Sequence, residues 1–210
     1  MKILALDISS RNTGWSVYEN SKPIAVGEIS GTADTHAEKL HNYRVSLDHI
    51  INKYEPELVA IEDAWSGKNK LTFKILSYYH GVTLELVGKY KTKLSIMMPS
   101  RFRRLVGAVY NRKLNFADRE AAKLATSSLM QEIGFATSND SEDICDAVAI
   151  GLAADLWHNK FNQELDLAKD ANKKIRSIVK LNKLATDSTE KYFKGLEKAN
   201  EKSLGNTRSK

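Results

Sequence analysis

Residues 2–30 read KILALDISSRNTGWSVYENSKPIAVGEIS, and the order of runs and turns in this stretch decides the fold. Segments 2–8, 14–19 and 23–30 are short and rich in apolar or β-branched residues, and segments 9–13 and 20–23 between them carry turn-forming residues. Three strands in a meander are predicted. From 34 to 54 the residues Ala37, Leu40, Val45, Leu47, Ile50 and Ile51 recur at helical spacing until Pro56 stops the pattern, which predicts a helix feeding a strand at 58–62. A second helix is predicted over 70–90, with Gly81 inside it, then a strand over 94–98 closed by Pro99.

Beyond that strand, 116–133 and 143–158 read as helices, the second almost continuously apolar apart from Asp146 and Asp155. The order βββαβαβ followed by helices predicts an α/β fold, a mixed five-stranded sheet flanked by helices. After His158 the composition turns to Lys, Asn, Asp and Glu with isolated apolar residues. The expected organisation is therefore one domain over 1–158 and a basic, mostly helical C-terminal extension over 159–210 with a frayed end.

A chain of 210 residues suffices for one domain with a sizeable core and an appendage. It has no apolar run near bilayer length, and Met1-Lys2 followed by a short apolar strand does not read as a signal peptide, so a cytoplasmic protein with no membrane partner is expected. Cys145, the single cysteine, excludes an intrachain disulfide and a cysteine zinc cluster, and its apolar neighbours predict a buried thiol. The formal charge is +6, unevenly spread: residues 1–154 carry 19 Lys/Arg against 18 Asp/Glu, residues 155–210 carry 13 against 8. Lys173, Lys174, Arg176, Lys180 and Lys183 crowd one stretch of the extension, a basic run suited to phosphate contacts.

Acidic residues stand where apolar elements end. Asp7 closes the first strand, and Glu62-Asp63 closes the strand at 58–62; because strand side chains alternate, only one of that pair can join Asp7 easily. Asp143 and Asp146 are three apart, one turn along one helix face, and Asp146 has Cys145, Ala147 and Val148 around it. Asp143 also suits a helix N-terminus on its own, and strand-end acids can be ordinary. Converging, however, Asp7, Glu62, Asp143 and Asp146 would offer hard carboxylate oxygens suited to a pair of divalent cations.

These residues carry a family resemblance. Leu6-Asp7-Ile8-Ser9-Ser10-Arg11-Asn12-Thr13-Gly14-Trp15 resembles the opening motif of the RuvC Holliday-junction resolvases, with Ile8-Ser9 in place of the usual Pro-Gly. Pro56 to Glu62, followed by Trp65-Ser66-Gly67-Lys68-Asn69, is similar to the second motif, and Asp143-Ile144-Cys145-Asp146-Ala147-Val148-Ala149-Ile150 to the closing Asp-x-x-Asp-Ala-x-Ala-Ile. The motifs stand in family order across 3–154.

The resemblance implies a ribonuclease H-like fold and a metal-dependent endodeoxyribonuclease that resolves four-way junctions, and other branched DNA, by paired nicking to 5′-phosphate ends. It implies Asp7, Glu62, Asp143 and Asp146 as catalytic metal ligands, two Mg²⁺ per site with Mn²⁺ as a substitute, and a homodimer with the 70–90 helix at its interface. The Phe73, Leu76, Tyr79 and Val82 side chains of that helix suit a core equally well. Trp65 stands where the family has an aromatic that stacks on an opened base, beside Lys68 and Lys70. Lys113 or Arg119 would supply the family's basic residue before the closing motif, and Arg101, Arg103 and Arg104 are candidate phosphate contacts. The setting implied is recombination, repair or phage DNA processing, in a bacterial cytoplasm or that of a phage host.

Two rival readings remain at this level. An actin-like-superfamily phosphotransferase or ATPase also places an Asp and a Ser/Thr/Gly turn between its first strands, but needs more length and a glycine-rich adenosine loop. A non-cleaving junction-binding protein would have no use for four converging acids that repel phosphate.

Overall fold

The computed structural model describes residues 1–64 and 69–161, all within the compact unit Met1–Asp166. The expected extension over 159–210, with its basic stretch, lies outside the described residues except for the backbone to 161, as do Trp65 and Lys68.

The meander forms as expected: β1 (Ile3–Asp7), β2 (Asn12–Glu19) and β3 (Lys22–Ser30) pair antiparallel in sequence. Asn20 and Ser21 both take positive φ, 52° and 63°, the geometry that lets a two-residue hairpin follow the strand twist. β4 (Leu58–Glu62) and β5 (Lys93–Met97) add in parallel on the other side of β1, giving the order β3-β2-β1-β4-β5. Every residue of β1 is buried, because both faces of the sheet are covered, so the strand reads as an apolar run instead of alternating.

On one face, Leu4, Leu6, Val59 and Ile61 join a cluster with α1 (His36–Tyr54) and α2 (Lys70–Tyr90), among them Tyr43, Leu47, Ile51 and Leu86. Thr35 and Glu38 close a reciprocal capping box at the start of α1, and Glu55 ends it in the left-handed conformation. Tyr79 is buried in this cluster and Val82 packs against it, the core alternative for those two positions.

The other face holds α5 (Glu142–Asp155), whose residues from Ile144 to Asp155 are all buried. A helix apolar nearly all round needs cover on every side. α5 finds it between the sheet and the pair α3 (Pro99–Tyr110) and α4 (Arg119–Glu132). Ser16 Oγ donates to the Ala147 carbonyl at 2.9 Å and Tyr18 OH to the Val148 carbonyl at 2.8 Å, which fixes the position of α5 along β2. Cys145 is buried, as its neighbours predicted.

The differences from expectation are local. Pro99 does not only end a strand; it opens α3, since proline's missing N–H costs nothing in a first helical turn. α4 begins at Arg119 because Asp118 caps it, accepting from the backbone N–H groups of Glu120 and Ala121. The last helix loses α-geometry at Asp155 and continues as a π-helical turn over Leu156–Phe161.

Candidate active site

Strand parity builds half of the site. β1 and β4 are parallel with Leu6 opposite Ile61, so the next residues, Asp7 and Glu62, emerge side by side at the strand ends. Leu4, Leu6, Val59 and Ile61 face α1 and α2, which leaves Asp7 and Glu62 on the α5 face. Asp63 points the other way, where its charge acts on the imidazole of His80. Burial pushes the His80 pKa below its usual value, and Asp63 opposes that shift.

The other half comes from the first turns of α5. Ser141 caps the helix by accepting from the Ile144 N–H, and Asp143 and Asp146 follow one turn apart. Gly14, on β2 opposite Asp7, lies so near the α5 start that a Cβ there would overlap the backbone carbonyl of Asp143. The glycine is what allows the strand and the helix start to meet, and thus Asp143 to stand near Asp7.

Two basic side chains reach into this acidic corner. Arg103 from α3 is buried and donates from Nη2 to Asp146 Oδ2 at 2.8 Å and from Nε to Thr126 Oγ1 at 3.3 Å. Lys123 from α4 donates to Asp143 Oδ1 at 2.8 Å and lies 3.8 Å from Asp146 Oδ2 and 3.9 Å from Asp7 Oδ2. Lys123 lies outside the three motifs, but it follows Arg119 by one helical turn, so the same helix face carries both.

The electrostatics are those of crowded buried acids. Asp7 is held well above the ordinary carboxylate range, first by desolvation and then by repulsion from Asp146 and Glu62. Glu62 is pushed up to about 7, by burial and by Asp146, against the pull of Arg103, Arg119 and Lys123. Asp146 is raised by burial even though Arg103 and Lys123 pull it down. Arg119 is exposed, and its charge reaches Glu62.

The structure brings Asp7, Glu62, Asp143 and Asp146 into mutual electrostatic range, but not into a ready-made chelate: among the described residues no three acidic, His or Cys side chains are grouped to hold one ion. The donor set nevertheless fits a hard divalent cation. All the acids offer oxygen, and buried Asp146 Oδ1 has no hydrogen-bond partner among the described residues, which suits it to ligate a cation.

Of the expected DNA contacts, Lys70, Arg104, Lys113 and Arg119 are exposed and Arg101 is half-buried. Arg103 is different: its guanidinium is committed to Asp146 inside the protein rather than offered to solvent. Arg104, Arg112 and Lys113 line an open basic pocket between the end of α3 and the following loop, with Arg103 at its inner edge.

The comparisons agree with this architecture. A Thermus thermophilus RuvC structure, described as in complex with Holliday junction substrate, superposes with a TM-score of 0.59 at 12% identity, covering 80% of this chain and 97% of that one. A second T. thermophilus RuvC structure gives 0.56 at 14% identity over 73% and 92%. At these identities the likeness establishes the fold. In sequence, the crossover junction endodeoxyribonuclease RuvC of Rickettsia typhi is 30% identical over 111 residues, which are 50% of this chain and 71% of the relative. That of Rickettsia prowazekii is 27% identical over the same length. The family model described as crossover junction endodeoxyribonuclease RuvC matches residues 3–154, from the first residue of β1 almost to the end of α5, and so spans both the sheet and the acidic corner. This chain therefore belongs to the RuvC family of crossover junction endodeoxyribonucleases.

Proposed function

We propose that this protein hydrolyses phosphodiester bonds at four-way DNA junctions, using Asp7, Glu62, Asp143 and Asp146 as ligands for divalent cations. The observation that carries the reading is the meeting of Asp7 and Glu62, from adjacent parallel strands, with the first turn of α5. Family membership supports it, as does the junction substrate in the T. thermophilus structure. Mg²⁺ is the proposed ion, two per site, with Mn²⁺ as a substitute; when bound, such a pair supplies an activated water and charge stabilisation for the leaving 3′ oxygen.

The chain's own residues do the positioning. Arg103 holds Oδ2 of Asp146 and leaves Oδ1 free to ligate. Burial around Asp7 and Asp146 removes competing bulk water and strengthens every charge interaction there. Products with 5′-phosphate ends follow from cleavage on the 3′-oxygen side. A homodimer acting by paired cuts is part of the proposal, with exposed Leu71 and Tyr78 on α2 as apolar surface available to a second copy. Among the described residues no helix is long and apolar enough to cross a membrane, and action on DNA in a bacterial cytoplasm, or that of a phage host, is a further part of the proposal.

The test is cleavage of a synthetic immobile four-way junction against linear duplex of the same sequence, with and without Mg²⁺. Junction-selective, Mg²⁺-dependent nicking is expected, abolished in Asp7→Asn with junction binding retained or tightened. Asp63→Asn should be mild. Near-wild-type cutting by Asp7→Asn would remove the metal-ligand assignment.

A further inference from the structure

Asp7, Asp143 and Asp146 share one neighbour, the ammonium of Lys123, at 3.9, 2.8 and 3.8 Å. Lys123 is itself 9% exposed, so its charge has been taken out of water to sit there. Burial works against a charged ammonium, but Asp7, the hydrogen bond to Asp143 and Asp146 together outweigh it. With Arg103 engaged on Asp146 and Thr126, Lys123 is the cation among the described residues that faces all three acids at once.

Carboxylate oxygens hold Mg²⁺ at about 2.0–2.1 Å. An ammonium 2.8 Å from Asp143 Oδ1, and within ion-pair range of the other two, stands in the space into which those oxygens would have to close. Two cations cannot share it.

We propose that Lys123 is a built-in counter-ion of the acidic corner, occupying the position between Asp7, Asp143 and Asp146 in the metal-free protein and displaced when a divalent cation enters. The inference rests on the reading of those acids as metal ligands. It gives one residue two opposed effects. Lys123 stabilises the metal-free fold, because buried acids without a counter-charge repel one another. It also weakens metal binding, because the entering ion must break its contacts and push a like charge aside.

The experiment uses the full chain without DNA and Mn²⁺ alone as the probe, with bound metal followed by electron paramagnetic resonance of the free ion. Thermal unfolding in EDTA and in Mg²⁺ is the second readout. Lys123→Met keeps the length of the side chain and removes the charge. It should melt below wild type in EDTA, show a larger Mg²⁺-induced rise in Tm, and bind Mn²⁺ about tenfold tighter, the scale for removing a nearby unit charge from a partly screened site. Lys123→Gln, which can still donate to Asp143, should tighten Mn²⁺ in the same direction and serves if the Met variant does not fold. Unchanged or weaker Mn²⁺ affinity in a folded neutral variant would overturn the proposal while leaving the metal-ligand reading intact. A wild-type chain that binds no Mn²⁺ would overturn both.

Discussion

Nη2 of Arg103 donates to Oδ2 of Asp146 at 2.8 Å, with both side chains almost wholly withdrawn from solvent. The same guanidinium donates through Nε to Thr126 Oγ1. One arginine thus ties α3, α4 and α5 together at the acidic corner. Its role is to hold by a direct, hydrogen-bonded ion pair a buried carboxylate from which Lys123 stands farther off, at 3.8 Å.

Arg103→Met should therefore act on stability before it acts on DNA. Removing one partner of a buried ion pair costs about 3–5 kcal/mol, and urea unfolding in EDTA should show a loss of that order. Saturating Mg²⁺ should restore part of it by supplying the missing positive charge. A variant as stable as wild type that only binds junctions less well would mean that Arg103 is a phosphate contact, as its place in the sequence first suggests.

Gly14→Ala tests how the two halves of the site are joined. A Cβ at this position overlaps the Asp143 backbone, where neither strand nor helix start can yield cheaply. Overpacking of this kind costs about 1–3 kcal/mol. The expected result is a folded protein with a modestly lower Tm and a disproportionate loss of junction cleavage, because Asp143 is moved relative to Asp7. If cleavage per folded molecule stays at the wild-type level, Gly14 does not position the acid.

Much of this was legible in the residues, for identifiable reasons. The strand at 58–62 and the helix at 70–90 are readable because Pro56 stops the helix before the strand and apolar residues recur at helical spacing beyond 70. Period-two alternation sets Glu62 and Asp63 on opposite faces, the family resemblance picks Glu62, and a one-turn spacing pairs Asp143 with Asp146. α3 was hidden because its arginines mask an amphipathic face that buries Phe102, Leu105 and Val106, and because Pro99 marks a strand end and a helix start equally well. Lys123 was hidden for another reason. Its partners come from β1 and α5, and no local pattern announces a contact made across 20 residues or more.

The metal-free protein should lose stability as pH rises from about 5 to about 8. Glu62 has a folded pKa of about 7 against 4.5 for the ordinary group, and Asp7 and Asp146 are raised as well. Between those values the folded chain holds more protons than the unfolded chain, so stability falls with rising pH. The contribution is complete below the unfolded pKa and lost through the folded one. Thermal unfolding in EDTA across this range should show the decline, and Glu62→Gln should flatten it. A wild-type Tm that climbs over the same interval, with the variant parallel to it, would contradict the raised pKa.

The basic pocket beside the site gives a prediction in which two of its cations count and a third does not. Arg112 donates to Glu132 Oε1 at 2.7 Å, so its charge is already answered. Arg104 and Lys113 line the same pocket and are exposed, and neither is in an ion pair among the described residues; Lys113 instead lies over the Phe116 ring at 4.8 Å, which leaves its charge available. Each phosphate neutralised by a protein cation contributes about 0.9 to the log-log slope of binding against salt. If the pocket receives the DNA backbone, Arg104→Ala with Lys113→Ala should weaken junction binding at low salt and flatten that slope by about 1.8 in total. Arg112→Ala should change the slope little, because what it releases is a pairing with Glu132 and not a bound phosphate. Titration of the single and double variants against salt, in Ca²⁺ to permit binding without cleavage, separates the two cases. A slope unaltered by the double variant would place the DNA path elsewhere on the surface, whatever the affinity at one salt concentration.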